Sequence, residues 1–256
     1  MRLLRTVTSL AVLSAREWIR LKFFHIIAFF GLLFIAFSYL LSSLTFSVQE
    51  RLFYDFGLGS LELGLIMIAS LIGSHTIQRE VDRKTMFVIL ARPITRASVV
   101  LGAWGAIVIL CVLFLLGFVA SVAVTVPGQL PVAGVAIAAL SSIEKAMIVA
   151  SVAIAFGLMV RPLLALVASI SYWILCYSIA DVDFFVNRLE LESVRSIYSV
   201  VKRFLPEFYN YNWKSFYYVQ NLPNNQEIIW TVLHSLSWVC IWLFIGAIVF
   251  RRKEIV

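Results

Sequence analysis

Residues 78–104 read QREVDRKTMFVILARPITRASVVLGAW, and this stretch decides how the chain is laid out. Five basic side chains, Arg79, Arg83, Lys84, Arg92 and Arg96, crowd into its first 19 positions, between two apolar runs at 57–77 and 99–122. Each run is long enough to cross a hydrocarbon core about 30 Å thick at about 1.5 Å of helical rise per residue. A short basic loop between two such runs belongs on the cytoplasmic side of a membrane. Inside the loop, Met86 to Ala91 form an apolar run too short to span. Such a patch is either a partner surface or a tuck against the ends of the spans, and composition alone does not choose.

Working outward, the same pattern recurs. Apolar residues make up 62% of the 256 and charged residues 14%, where soluble domains carry about 25% charged, which excludes an ordinary soluble enzyme. Further apolar stretches lie at 23–44, 132–160, 163–180 and 229–250. The expected fold is therefore an all-α polytopic membrane protein with six transmembrane helices, treated as one domain over 1–256. The 132–160 stretch has 29 residues and holds Glu144 and Lys145, so it is either one long tilted helix or an interfacial segment followed by a span. Glu50, Arg51 and Asp55 are assigned to a short loop between the first two spans.

Residues 1–22 place Leu3, Val7, Leu10, Trp18 and Leu21 on one helical side among five basic residues, which predicts an amphipathic interfacial helix. A signal peptide is the competing reading, but no polar mature domain follows. With the amino terminus inside, 14 of the 21 Lys and Arg fall in cytoplasmic segments, so both termini are expected in the cytoplasm. The net charge of +7 is thus read as topology, and no nucleic-acid partner is expected. The extracytoplasmic piece is 181–227. Val194, Ile197, Tyr198, Val201, Phe204 and Leu205 recur there at helical spacing, followed by Phe208, Tyr209, Tyr211, Trp213, Phe216, Tyr217 and Tyr218. That aromatic density fits a belt at headgroup level, with a substrate gate as the sharper alternative.

Chemical motifs are lacking. The chain has no GxxxxGK[ST] phosphate loop, no HExxH and no GxSxG, so neither a nucleotide cradle nor a catalytic centre is expected in it. His25, His75 and His234 are far apart, and Cys111, Cys176 and Cys240 lack paired spacing, so no metal site is expected and the cysteines are read as buried small hydrophobes. Glu62 stands inside the second span, roughly 8 Å from its outer end. It is read either as a shallow carboxylate near the interface or as a pathway group, with no evident partner in the sequence. Glu144 and Lys145 point about 100° apart on a helix, so each should pair elsewhere or snorkel outward. Gly102, Gly105, Gly117 and Gly157 are read as packing points between helices.

One further feature comes from resemblance. The series Glu80, Thr85, Leu90, Arg92, Pro93, Arg96, Leu101 and Gly102 resembles the loop of type-2 ABC transporter permeases. The basic helix before the first span, the six spans, the large outer loop and the ending Arg251, Arg252, Lys253 are similar too. Within that family the chain looks most like the permeases of copper-enzyme maturation and gliding-motility systems. It departs at Lys84, where relatives often carry Gly before the Thr, and at Ala103, where they often carry Lys. The resemblance implies that residues 78–98 form a coupling helix seated on a cytoplasmic ATPase, carried by Glu80, Arg83, Lys84, Thr85, Phe87, Leu90, Pro93 and Arg96. It implies a non-catalytic, multi-pass subunit of a prokaryotic inner (plasma) membrane, acting as a homodimer or with a related permease. Two ATPase copies would hold ATP and Mg, this chain binding no cofactor, and an accessory extracytoplasmic protein is a further candidate partner. Pathway lining is expected from Glu62, Ser169, Ser171 and Tyr172. An ATP-independent transporter or channel is the alternative, although the internal repeat it would need is not evident.

Overall fold

The structure, a computed structural model, describes residues 2–20, 25, 29, 32–33, 36–37, 40, 49–82, 95–125, 131–188, 192–203 and 205–252. The predicted span at 23–44, most of the 78–98 loop and the turn at Pro127 and Gly128 lie outside them, wholly or in large part. The described elements are helices: α1 (Arg2–Trp18), α2 (Gln49–Asp82), α3 (Arg96–Thr125), α4 (Val132–Met159), α5 (Pro162–Arg188), α6 (Glu192–Arg203), a 3-10 turn (Phe208–Tyr211), α7 (Phe216–Gln220) and α8 (Asn225–Arg252). Five of them are long and apolar enough to cross a membrane, at Tyr54–Val81, Arg96–Ser121, Val132–Met159, Pro162–Ile179 and Asn225–Arg252.

Several boundaries differ from the sequence reading: 78–82 and 96–98, read as loop, are the end of α2 and the start of α3, and 181–188, read as part of the extracytoplasmic piece, continues α5. Glu50, Arg51 and Asp55 are not in a loop but in the first turns of α2, where Arg51 reaches Asp55 one turn on at 3.7 Å. Polar residues at a helix start look like a loop to a hydropathy reading, because spacing alone does not distinguish a solvated first turn from a linker. The 132–160 stretch is one helix, ended at Val160 by extended backbone before Pro162.

Helix α4 is the axis of the bundle. Ala146, Val149, Ala150, Ala153 and Ala155 are each at most 1% exposed, because α2, α3, α5 and α8 all pack on it. Its most extensive contact is with α2. The two helices run in the same direction at a sequence offset of 83, seen at Lys145 against Glu62 and again at Gly157 against Ser74. Small residues let the backbones approach. A Cβ added to Gly157 would fall 2.8 Å from the Ser74 carbonyl oxygen, and one on Gly73 would fall 2.7 Å from Ala153 Cβ. The buried hydroxyls of Ser74, Ser141 and Ser151 donate back to carbonyls three residues earlier in their own helices, so they pack as small groups with their polarity satisfied.

The amphipathic helix α1 turns Ala11 and Ala15 into the fold, against α3. Gly102 and Gly105 make room for it, since added Cβ atoms there would lie 2.8 Å from Leu10 Cβ and 3.1 Å from Ala11 Cβ. At the opposite end of the spans, the 181–227 segment folds back onto the helices. Its aromatics divide: Phe208, Tyr211 and Trp213 are buried in the protein, whereas Tyr209 and Tyr217 are exposed. The buried half is thus a packed plug, which a headgroup belt would not be. The α7 backbone at Val219 lies against Gly134 of α4, where any side chain would collide. Cys111 and Cys176 are buried as expected, but Cys240 is exposed on the outward face of α8.

The α2–α4 packing predicts that Gly157→Val overfills the contact and destabilises the protein by about 1–3 kcal/mol. Thermal unfolding in detergent would show it as a lowered midpoint. Gly59→Ala, with nothing within 4 Å of the added carbon, should not lower it.

Candidate functional site

Two sets of polar residues stand out against the apolar bundle, one at the helix ends that flank the basic loop and one inside. The first set flanks residues 83–94 in the chain. That loop, with Arg83, Lys84, Thr85, Phe87, Leu90 and Pro93, lies outside the described residues, but both its flanks are described. On the leading flank, Arg79 of α2 pairs with Glu17 of α1 at 3.4 Å and covers the Trp18 ring at 5.4 Å. One residue earlier, the Gln78 amide, oriented with its nitrogen toward α4, donates to the Gly157 and Val160 carbonyls at 3.1 Å. Those carbonyls are among the groups a helix end leaves without internal partners. Glu80 sits in the same last turns of α2, half-buried.

On the trailing flank, the Thr95 hydroxyl accepts from the Ser98 backbone N–H at 3.3 Å, which starts α3. Arg96 then reaches across to the end of α8. Its guanidinium donates to the Phe250 carbonyl at 2.8 Å and the Arg251 carbonyl at 3.2 Å, and lies 5.6 Å over the Phe250 ring. A cation at a helix C-terminus is favoured by the carbonyl dipoles there. The loop is therefore strung between residues clasped to α1 and α4 on one side and to α8 on the other.

The inner set is built on Glu62. It is 1% exposed, about 12 Å along the membrane-crossing part of α2, which begins at Tyr54. Its Oε2 accepts from Lys145 Nζ of α4 at 2.9 Å and lies 3.1 Å from Lys214 Nζ of the outer loop. Lys145 is fully buried, and Lys214 is 23% exposed. Tyr177 of α5 stands beside both ammoniums, its ring 5.9 Å from Lys145 and 5.2 Å from Lys214, and its hydroxyl accepts from the Asn212 amide at 3.3 Å. Thus α2, α4, α5 and the outer loop converge on one carboxylate. Glu62 has no evident partner in the sequence because its partners come from 83 and 152 residues away, at Lys145 and Lys214, and no local pattern reveals such a pairing. Neighbouring Glu144 is 4% exposed with neither oxygen hydrogen-bonded among the described residues.

The other candidate pathway residues are not gathered around Glu62. Ser169 is buried and donates to the Leu166 carbonyl at 2.9 Å, Ser171 is exposed, and the Tyr172 hydroxyl accepts from the Trp242 indole at 3.2 Å. Reasoning from sequence missed Lys214, Tyr177 and Gln78. Lys145 carried a signal, a lysine inside an apolar run, whereas Lys214 looked like any loop lysine.

The outer loop has a second anchor. Tyr198 donates to the Ile179 carbonyl at 2.7 Å, and Lys202 bridges Asp183 at 3.2 Å and Glu207 at 3.4 Å. Partial burial disfavours the Lys202 ammonium, but the two carboxylates outweigh it and hold its pKa above the ordinary 10.5. This anchor is present below that ordinary value and is lost only as the pH rises through the elevated one.

A helical bundle whose basic loop is tied to several span ends has the form of a transport subunit, and comparison with known proteins agrees. The family model described as ABC-2 family transporter protein matches residues 60–255. The chain belongs to the ABC-2 transporter family. It is a multi-pass membrane permease of the ABC transporter kind. No curated protein matches it. Among the described residues, no group of three His, Cys, Asp or Glu is arranged to hold a metal ion.

The buried pair makes a prediction. Glu62→Gln strands the Lys145 charge and should destabilise the protein by about 3–5 kcal/mol, whereas the double change Glu62→Leu with Lys145→Met should recover most of that loss. Lys214, partly exposed, can turn to water when its partner is removed. Unfolding of the solubilised single and double variants measures the difference.

Proposed function

We propose that this permease is the membrane half of an ATP-driven exporter, and that the 78–98 loop is the element through which a separate cytoplasmic ATPase moves it. The observation that carries this reading is the clasping of the loop's two flanks, Gln78 and Arg79 to α4 and α1, and Arg96 to the end of α8. A displacement of the loop would pull on α1, α2, α3, α4 and α8 together. The loop's apolar run Met86 to Ala91 offers the partner a greasy knob, and its cations offer a rim.

In the proposed assembly two permease chains, identical or related, stand above two ATPase copies, which hold ATP and Mg. Outward apolar faces on α5 and α8 leave surface for lipid and a second chain; Leu163, Val167 and Leu175 are exposed on the first, Leu233, Leu236 and Phe244 on the second. Both termini and the 78–98 loop face the cytoplasm of a prokaryotic cell, with 181–227 outside the inner membrane. Glu62 serves in this reading as a joint that keeps the outer loop, α4 and α2 moving as one body, and substrate passes at the seam between chains.

Affinity purification of the tagged chain from native membranes in mild detergent tests the proposal. The expected result is a copurifying ATPase in about equal amount, retained in wild type and lost in Phe87→Asp. Arg96→Ala should keep the ATPase bound but weaken the coupling of hydrolysis to transport, since only the link to α8 is cut. A chain that assembles normally yet brings down no nucleotide-hydrolysing partner would overturn the reading in favour of an ATP-independent transporter or channel.

A further inference from the structure

A cavity of about 400 Å³ opens between the end of α6, the 3-10 turn and the first half of α8. Small-molecule sites commonly run from about 300 to 1,000 Å³. On α8 its wall is a stripe at one-turn spacing, Trp230, His234 and Trp238. Tyr211 of the 3-10 turn faces the stripe and is 1% exposed.

The hydrogen bonds around His234 fix where a proton is left over. The Trp238 indole N–H donates to His234 Nε2 at 3.0 Å. An indole nitrogen can only donate, so Nε2 is unprotonated and the ring's proton sits on Nδ1. The contact between His234 Nδ1 and the Tyr211 hydroxyl oxygen is then a donation from the imidazole to the tyrosine. The Tyr211 O–H is left to donate, and among the described residues nothing accepts it. Burial, then the Glu144 and Glu207 carboxylates, raises the pKa of this phenol, so it keeps the proton.

The cavity's other polar groups are already engaged, with one exception. Lys202 is held by Asp183 and Glu207, the Asn210 amide donates to Glu207 at 3.0 Å, and Thr231 donates to the Ile228 carbonyl at 2.9 Å. Arg203, at the mouth, is exposed and makes no ion pair among the described residues. What remains free is a cation and a buried O–H, both asking for oxygen acceptors. Beside them α8 exposes Ile229, Trp230 and Leu233, an apolar flank continuous with the membrane-facing side. An anionic oxygen-rich head joined to a hydrocarbon tail satisfies both halves.

We propose that the cavity binds an outer-leaflet phospholipid, whose phosphate sits on Arg203, whose phosphate or ester oxygen accepts from the Tyr211 hydroxyl, and whose acyl chain lies along Trp230 and Leu233. The bound lipid would lock the outer loop to α8, a contact otherwise made by Tyr211 and His234. The leaflet assignment rests on the orientation proposed above, but binding itself does not depend on any ATPase.

The test is native mass spectrometry of the purified, delipidated full chain titrated separately with dioleoyl phosphatidylglycerol, dioleoylglycerol and inorganic phosphate. The phosphatidylglycerol adduct should form on wild type and on the cytoplasmic control Arg161→Glu. Arg203→Glu and Tyr211→Phe should each weaken it about fivefold or more, the loss of one hydrogen bond, with the unfolding midpoint of the exposed Arg203→Glu staying near wild type. Equal binding by wild type and both variants would overturn the proposal. Dioleoylglycerol binding as well as phosphatidylglycerol would overturn the phosphate contact, and inorganic phosphate binding as tightly as the lipid would assign the site to a soluble anion. Copurification of an ATPase, present or absent, has no bearing on these results, so the two readings fail separately.

Discussion

A carboxylate that stays charged when buried among helices needs a cation beside it, because the penalty for removing a lone ion from water is several kcal/mol. Glu62 meets that requirement with Lys145 and Lys214, and much of the architecture follows from the choice of partners. Lys145 sets the register of α2 on α4, since a slip of one residue would turn the ammonium away from the carboxylate. Lys214 brings the outer loop down onto the same point. Hydrophobic packing alone would not impose either arrangement, because apolar helices in lipid have many nearly equivalent ways to slide.

The register so fixed places small residues opposite one another. Gly73 meets Ala153 and Gly157 meets Ser74, which lets α2 and α4 approach closely as far as their C-terminal ends. There Gln78 holds the end of α4, Arg79 the end of α1 and Arg96 the end of α8. The bundle is therefore tied at three levels: an anchored outer loop, an ion pair within, and a ring of end-caps around the basic loop. Close packing between these levels joins α2 and α4 along their length.

How much of this could be read from the chain depended on whether its cause was local. Span lengths and the amphipathic face of α1 are local patterns, and each gave the right kind of element wherever the structure describes it, whereas the stretch read as loop over 78–98 is helical at 78–82 and 96–98. The helix at Glu192–Arg203 was likewise visible in the spacing of Val194, Ile197 and Val201. The misreadings have non-local causes. Glu62 looked partnerless because Lys214 lies in a loop that has to fold back to reach it. The aromatic run 208–218 looked like a belt because composition does not tell which rings face inward; Phe208 and Tyr211 do, and Tyr209 and Tyr217 do not. Arg96 was legible as a loop cation but not as a cap on α8, whose last carbonyls are 154 and 155 residues further along.

The central claim is that motion at the cytoplasmic loop is carried through α2 and α4 to the outer loop by way of Glu62. Electron paramagnetic resonance distances between spin labels at Arg51 and Asn210, in the assembled transporter in lipid nanodiscs, test it most directly. The account predicts a distance that stays the same when a non-hydrolysable ATP analogue is added to the wild type, because both labels ride on one body, and that changes in Lys214→Gln while ATP hydrolysis continues. A distance that already changes in the wild type, or one that stays fixed in Lys214→Gln, would contradict it.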